Sequence, residues 1–467
     1  MKFKTTFILL AVFAVLLAVV LIFESRGKRI AAAKEQEGLL VNLSSAEIRK
    51  IELKREDGTI VLEKNDTGEW RLTAPLDARA EATEADALVS SLAGLRIDRV
   101  VEKAVQDKGL RTYGIPQREI SIWIKGKDIP VRILIGMENP LDKSLFVKRE
   151  DDPRVVLVSG DLKTALDKKV FDFREKTIFK FDRADVRGIQ VRAKSVRWEA
   201  AHEADAWLFK APLQAPANKS QLETLLDSLS NLKATEFVSE DKKPADIKKF
   251  GLDKPEYEVD LAMPAANREV VYSFHKDGGK SYALTSQSNK IIAFEGSLLA
   301  DLEKKVDELR EKKVLDFSSW EAFKIALKKG DFRLTAAKEK VKDEETWRLD
   351  TAAKDTADGT RIEAFIRKIE GLEAAAFIDN PKSLAAYGLD KPAAEVIIWT
   401  KDIDNKVKEM SLLVGSVEPA KDQVVVKNRK LDGLFRVDAA FLEDFPRDAK
   451  SWKVELPKTE GTAEKKK

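Results

Sequence analysis

Phe250-Gly251-Leu252-Asp253-Lys254-Pro255 is written again as Tyr387-Gly388-Leu389-Asp390-Lys391-Pro392 and, shortened, as Tyr113-Gly114-Ile115-Pro116. The three glycines stand 137 residues apart both times (251 − 114 and 388 − 251). Upstream of each box runs a tryptophan segment: Trp70-Arg71-Leu72, Trp207-Leu208-Phe209 and Trp347-Arg348-Leu349. Downstream stands an arginine beside an acid, in Arg174-Glu175, Arg310-Glu311 and Arg447-Asp448, spaced by 136 and 137 (310 − 174 and 447 − 310). A unit of this length is far longer than a solenoid repeat and can bury its own core. The chain therefore reads as a tandem triplication.

Within each unit the hydrophobic period changes in the same order. Two alternating strands come first: Ile48, Ile51 and Leu53, then across Asp57-Gly58 to Ile60 and Leu62. Asp-Gly between alternating runs is a hairpin signal, because glycine accepts positive φ without a steric cost. The tryptophan and the apolar residue two positions on share one face of a third strand. A helix follows, with apolar residues at offsets 0, 3, 4, 7 and 10: Ala85, Leu88, Val89, Leu92, Leu95; Leu222, Leu225, Leu226, Leu229, Leu232; Ile362, Phe365, Ile366, Ile369, Leu372. That is one stripe of an amphipathic helix able to lie on a sheet. Asn218 and Asp358 stand where an N-cap is needed, with Glu81 a poorer substitute. Five residues beyond each stripe, Val100, Phe237 and Phe377 start a short strand. After the box come further short strands, and then a brief helix over 161–167, 298–309 and 439–445. The expected fold is α+β: three tandem repeats of about 137 residues, each a mostly antiparallel sheet with one main helix.

Composition excludes several chemistries. The 83 basic and 80 acidic side chains nearly cancel, leaving +3, so there is no broad field to gather a nucleic acid. With no cysteine, disulfides, thiolate catalysis and lipid attachment through a processed cysteine are ruled out. The two histidines, His202 and His275, cannot make a three-histidine zinc site and read as solvent-facing residues of strand and turn. Gly278-Gly279-Lys280-Ser281 echoes a phosphate loop but lies between alternating strands, so it reads as a hairpin turn. No Gly-x-Ser-x-Gly elbow occurs, and acidic pairs are too numerous to single out a glycosidase dyad. No catalytic, cofactor or metal residue, and no small-molecule substrate, is expected.

Residues 5–23 form an uncharged run rich in Leu, Val, Ala and Phe. Nineteen helical residues reach about 28 Å, enough to cross a hydrocarbon core. Glu24, Arg26, Lys28 and Arg29 separate this run from the small residues Ala31-Ala32-Ala33, so an uncleaved anchor is expected rather than a signal peptide. Basic residues flank the run almost evenly, leaving the orientation open to the positive-inside rule. The expected order is a cytoplasmic flank (1–4), anchor (5–23), stalk (24–40), repeats at 41–178, 179–315 and 316–452, and a charged, disordered tail (453–467).

The Tyr/Phe-Gly-Leu-Asp-x-Pro box, the tryptophan strand with its proline (Trp70…Pro75, Trp207…Pro212) and the striped helix resemble the bacterial domain of unknown function 4340 family. The first box lacks the aspartate, and the third tryptophan strand has Ala352-Ala353 in place of the proline. The resemblance implies an envelope protein of the bacterial inner membrane, with its bulk in the periplasm, often associated with ABC-type export systems of the gliding-motility kind. It implies no enzymatic activity. The leading expectation is a non-enzymatic, membrane-anchored scaffold that meets ABC permease and ATPase subunits or other envelope proteins. The alternative is a glycan-binding or glycan-processing envelope protein, with the tryptophans as sugar platforms. The repeated box reads as a turn, the tryptophans as core, and Arg174, Arg310 and Arg447 as clamps between successive repeats.

Overall fold

The computed structural model describes residues 38–264, 268–341, 344–350, 355–418 and 422–454. The expected flank, anchor, nearly all of the stalk and most of the tail lie outside the described residues. The chain divides into two compact units: one runs to Ile178 and includes 233–238, the other holds 179–232 and everything from Ser239 on.

The first repeat contains β1 (Ile48–Arg55), β2 (Gly58–Lys64), β3 (Trp70–Ala74), β4 (Ala78–Arg79), helix α1 (Ala82–Ala93), β5 (Arg99–Glu102), β6 (Arg118–Ile124), β7 (Val131–Glu138), β8 (Leu145–Arg149) and β9 (Val155–Val158). These strands form one antiparallel sheet in the order β4-β3-β2-β1-β6-β7-β8-β9-β5. Since β4 and β5 are opposite edges, α1 must cross the whole sheet face to join them. It does so with the predicted stripe inward: Ala85, Leu88, Val89 and Leu92 are buried. Each fully buried leucine there contributes on the order of 2 kcal/mol.

The second repeat follows the same plan with β10 (Gly188–Ala193), β11 (Val196–Glu203), β12 (Ala206–Ala211), β13 (Ala215–Pro216), α2 (Lys219–Ser230), β14 (Glu236–Ser239), β15 (Tyr257–Met263), β16 (Arg268–Asp277), β17 (Lys280–Thr285) and β18 (Ile291–Phe294). In the third, β19 (Ala322–Lys329), β20 (Phe332–Val341), β21 (Glu344–Leu349), α3 (Gly359–Glu370), β22 (Ala376–Ile378), β23 (Ala394–Lys401), β24 (Val407–Glu418), β25 (Gln423–Asn428) and β26 (Leu434–Asp438) run β21-β20-β19-β23-β24-β25-β26-β22. Three mostly antiparallel sheets with few helices are the repeated architecture. Trp70, Trp207 and Trp347 are buried in these cores. In two copies the indole N–H is tied to the helix, Trp70 Nε1 donating to Asp86 at 2.8 Å and Trp347 Nε1 to Glu363 at 3.2 Å.

Two local expectations need correcting. The segment 298–309 is not one helix but two, Leu298–Leu302 and Val306–Leu309, and the third copy at Ala439–Asp444 winds as a 3-10 turn. Neither histidine faces solvent freely. His202 packs against Trp207 with ring centroids 5.1 Å apart, and His275 is half-buried beneath the box of its repeat.

Candidate functional site

The box forms a short helical turn ended by a left-handed glycine, with φ of 66°, 70° and 66° at Gly114, Gly251 and Gly388. It closes over the sheet face opposite the helix. In the third repeat Leu389 packs there with Leu413, Val425 and Leu434, a small cluster separate from the main core. In the first and second repeats the aromatic of the box meets a strand aromatic: Tyr113–Phe146 at 5.1 Å and Phe250–Tyr282 at 4.9 Å. Beneath the box the strand must give way to the backbone. A methyl group at Gly136 would fall 2.1 Å from the Tyr113 carbonyl oxygen, and one at Gly415 would fall 2.1 Å from that of Tyr387. The turn reading of the box therefore explains its repeated residues by packing.

The two ends of each main helix are stitched to chain that arrives and leaves. Just before the helix, Ala80 bridges Arg174, Ala217 bridges Arg310 and Ala357 bridges Lys453. Just after it, Leu39 bridges Arg96, Thr177 bridges Lys233 and Lys313 bridges Glu373. Arg174 is 3% exposed, with its guanidinium 3.4 Å from the Phe237 ring centre. Arg310 is 6% exposed, lies 3.8 Å from the Phe377 ring centre and pairs with Asp379 at 2.8 Å. Burying an arginine this deeply needs both the aromatic face and the hydrogen-bond partners.

Arg447 does not belong to this set. The bridged position of the third repeat is Lys453, exposed and paired with Asp355 at 2.9 Å. Val156, Ile292 and Phe435, the strand partners of Val147, Ala283 and Val426, each precede the bridged residue by 18 (174 − 156, 310 − 292, 453 − 435). The distance from box glycine to bridge is 60 in the first repeat and 65 in the third (174 − 114 and 453 − 388), and β23 and β24 are longer than β6 and β7. The Pro-Arg-Asp match at 446–448 was therefore out of register.

Arg447 instead lines a cleft of about 330 Å³ between α3 and the segment after the last strand. Phe365, Phe445 and Trp452 line its floor from the core of the third repeat, only 2%, 4% and 3% exposed, with Phe365 edge-on to Phe445 at 5.2 Å. Arg361 and Lys368 stand beside Arg447 on the rim. Arg361 is held by Asp358 at 3.2 Å and donates to the Ser451 carbonyl at 3.1 Å, while Lys368 pairs with Asp444. Among the described residues Arg447 makes no hydrogen bond or ion pair. Sequence reading missed this cleft because its walls come from two segments some 80 residues apart, and spacing along the chain does not bring Arg361 to Arg447.

Among the described residues no group of three His, Asp or Glu side chains is placed to hold a metal ion, and no helix is long and apolar enough to cross a membrane. Fold and site together define a tandem-repeat α+β protein. A model of a domain of unknown function (DUF4340) matches residues 31–115, 70–211, 207–392 and 347–456, and the chain belongs to that family. No curated protein and no solved structure matches the chain.

Proposed function

We propose that the chain is a single-pass, extracytoplasmic scaffold of the bacterial inner membrane, non-enzymatic and accessory to an ABC-type transport complex. The observation that carries this reading is where the triplicated residues go. The tryptophans, the helix stripe, the box glycines and the strand glycines beneath them all occupy packing positions, and packing accounts for each of them. What remains for function is surface, and the apolar run at 5–23 supplies a way to hold that surface at a bilayer.

The test begins with fractionation of the full chain and of a chain lacking 5–23. The full chain should stay with membranes through a carbonate wash, and the shortened one should be released. Purification of the full chain in mild detergent should then recover permease and ATPase subunits; a solitary monomer would sink the scaffold reading. Glycan binding is separable. The repeated tryptophans are enclosed, whereas Trp320 is 75% exposed. Trp320→Ala should leave polysaccharide retention unchanged if the scaffold reading holds.

A further inference from the structure

One pair of positions recurs in every repeat, and its chemistry changes along the chain. The third residue after each N-cap is Glu84, Gln221 or Arg361. The residue six positions before each bridged residue is Lys168, Lys304 or Arg447 (174 − 6, 310 − 6, 453 − 6). In the first repeat Lys168 forms an ion pair with Glu84. In the second, Lys304 Nζ donates to Gln221 Oε1 at 3.5 Å. In the third both partners are arginines, and both line the cleft.

Two guanidinium groups thus stand where the first repeat has a cation and its carboxylate. With Lys368, the lining carries three cations and the acid Asp444, while Asp358 holds Arg361 and Asp448 accepts from Ser451. Lys368 is already neutralised by Asp444, and Arg361 by Asp358. Arg447 is the fork left open. Arginine differs from the lysines of the earlier repeats in presenting a planar pair of donors suited to a bidentate oxyanion. The neighbouring floor of Phe365, Phe445 and Trp452 suits an apolar body rather than a bare hydrated ion.

We propose that this cleft binds an amphipathic oxyanion: a carboxylate or phosphate group joined to an apolar or aromatic moiety. Its charged end would meet the open Arg447 guanidinium, and its apolar end would lie toward Phe445 and Trp452. This inference does not depend on membrane anchoring.

Full chain in lipid nanodiscs is titrated with 1-naphthylacetate, 1-naphthyl phosphate and the uncharged 1-naphthylacetamide, followed by saturation-transfer NMR. At least one of the two anions should bind saturably and at least tenfold more tightly than the amide. A preference for the acid points to a carboxylate ligand and a preference for the ester to a phosphate. Arg447→Glu and Arg361→Glu should each weaken the anion at least tenfold. Arg361→Glu gives up the Asp358 pair and the Ser451 carbonyl, so Arg447→Glu, whose parent side chain has no partner among the described residues, is the variant whose unfolding midpoint should stay at that of the parent, separating lost binding from lost folding. Equal binding of anions and amide, unchanged affinity in both variants, or no saturable binding of either anion would overturn the proposal.

Discussion

The second repeat differs from the first and third at one strand position, and the difference shows how the box is seated. Ile133, Tyr272 and Leu412 are equivalent, because each is reached by the same pairing steps from a core residue of the first strand (Leu53, Val191, Leu327). Three residues on stand Gly136, His275 and Gly415. Where glycine is present the strand bulges, between Ile135 and Glu138 and between Val414 and Val417, and the box backbone drops onto the sheet. In the second repeat the pairing of β16 with β17 is unbroken from Tyr272 to Asp277, and the His275 ring fills the gap. A methyl added at Gly251 would fall 2.4 Å from His275 Cδ2. Close approach of backbone and insertion of an aromatic ring are two solutions to one packing problem.

The sharpest way to break this comparison is to put a side chain under the box. Gly415→Val should destabilise the chain by about 3 kcal/mol, because a carbonyl oxygen blocks the new atoms and cannot rotate away. His275→Gly, which leaves a void instead of a clash, should cost about half as much. Chemical denaturation followed by tryptophan fluorescence measures both, and equal losses would mean that the two seats are not alternatives.

Next comes the bridge. Arg310→Ala should cost about 2 kcal/mol, since it strips Asp379 of its partner and Phe377 of its cover. Arg447→Ala should change stability by less than about 0.5 kcal/mol, as for an exposed residue without a partner. A large loss at Arg447 would restore it to the bridging set.

Helix starts give a smaller contrast. Asn218 and Asp358 accept from the backbone N–H of Gln221 and Arg361, whereas Glu81 makes no side-chain cap. Replacing either of the first two by alanine should cost about 1 kcal/mol and Glu81→Ala almost nothing. The smallest effect is confined to the first repeat. There the Arg154 guanidinium, helped by the Arg154 backbone N–H, pulls the Asp152 carboxyl down to about 2. A carboxyl lowered by folding adds stability that is complete above its ordinary value near 3.8 and is lost as the pH falls toward 2. Asp152→Asn should flatten the acid limb of the stability curve over that window, and an unchanged slope would refute this.

Much of the fold is legible in the sequence because period and spacing are local properties. The helix stripes, the two good caps, the hairpin at 278–281 and the positive-φ glycines of the box all follow from neighbours within a dozen residues. The misplaced Arg447 shows the limit. Phe-Pro-Arg-Asp resembles Phe-Arg-Glu, yet the third repeat is five residues longer from box to bridge than the first (65 − 60), three of them in the β23–β24 hairpin (16 − 13), and only strand pairing reveals that shift. His275 shows the same limit from the other side. Its counterparts in the other two repeats are glycines, and Gly136 and Gly415 gain meaning only once the box is known to lie above them. The cleft needed both ends of the third repeat brought together.

The stitching at the helix ends has a consequence for how such a chain can be rearranged. Residues 310–314 close one repeat through Ala217 and open the next through Glu373, and residues 174–177 pair in the same two directions, with Ala80 and Lys233. No single cut releases a complete repeat, because the same short segment is the last piece of one and the first piece of another. A duplication 137 residues long would therefore regenerate intact seams whatever its starting point, since every phase of the cycle contains one full seam. A transplanted repeat, in turn, should hold together only if it carries a copy of the seam at each end.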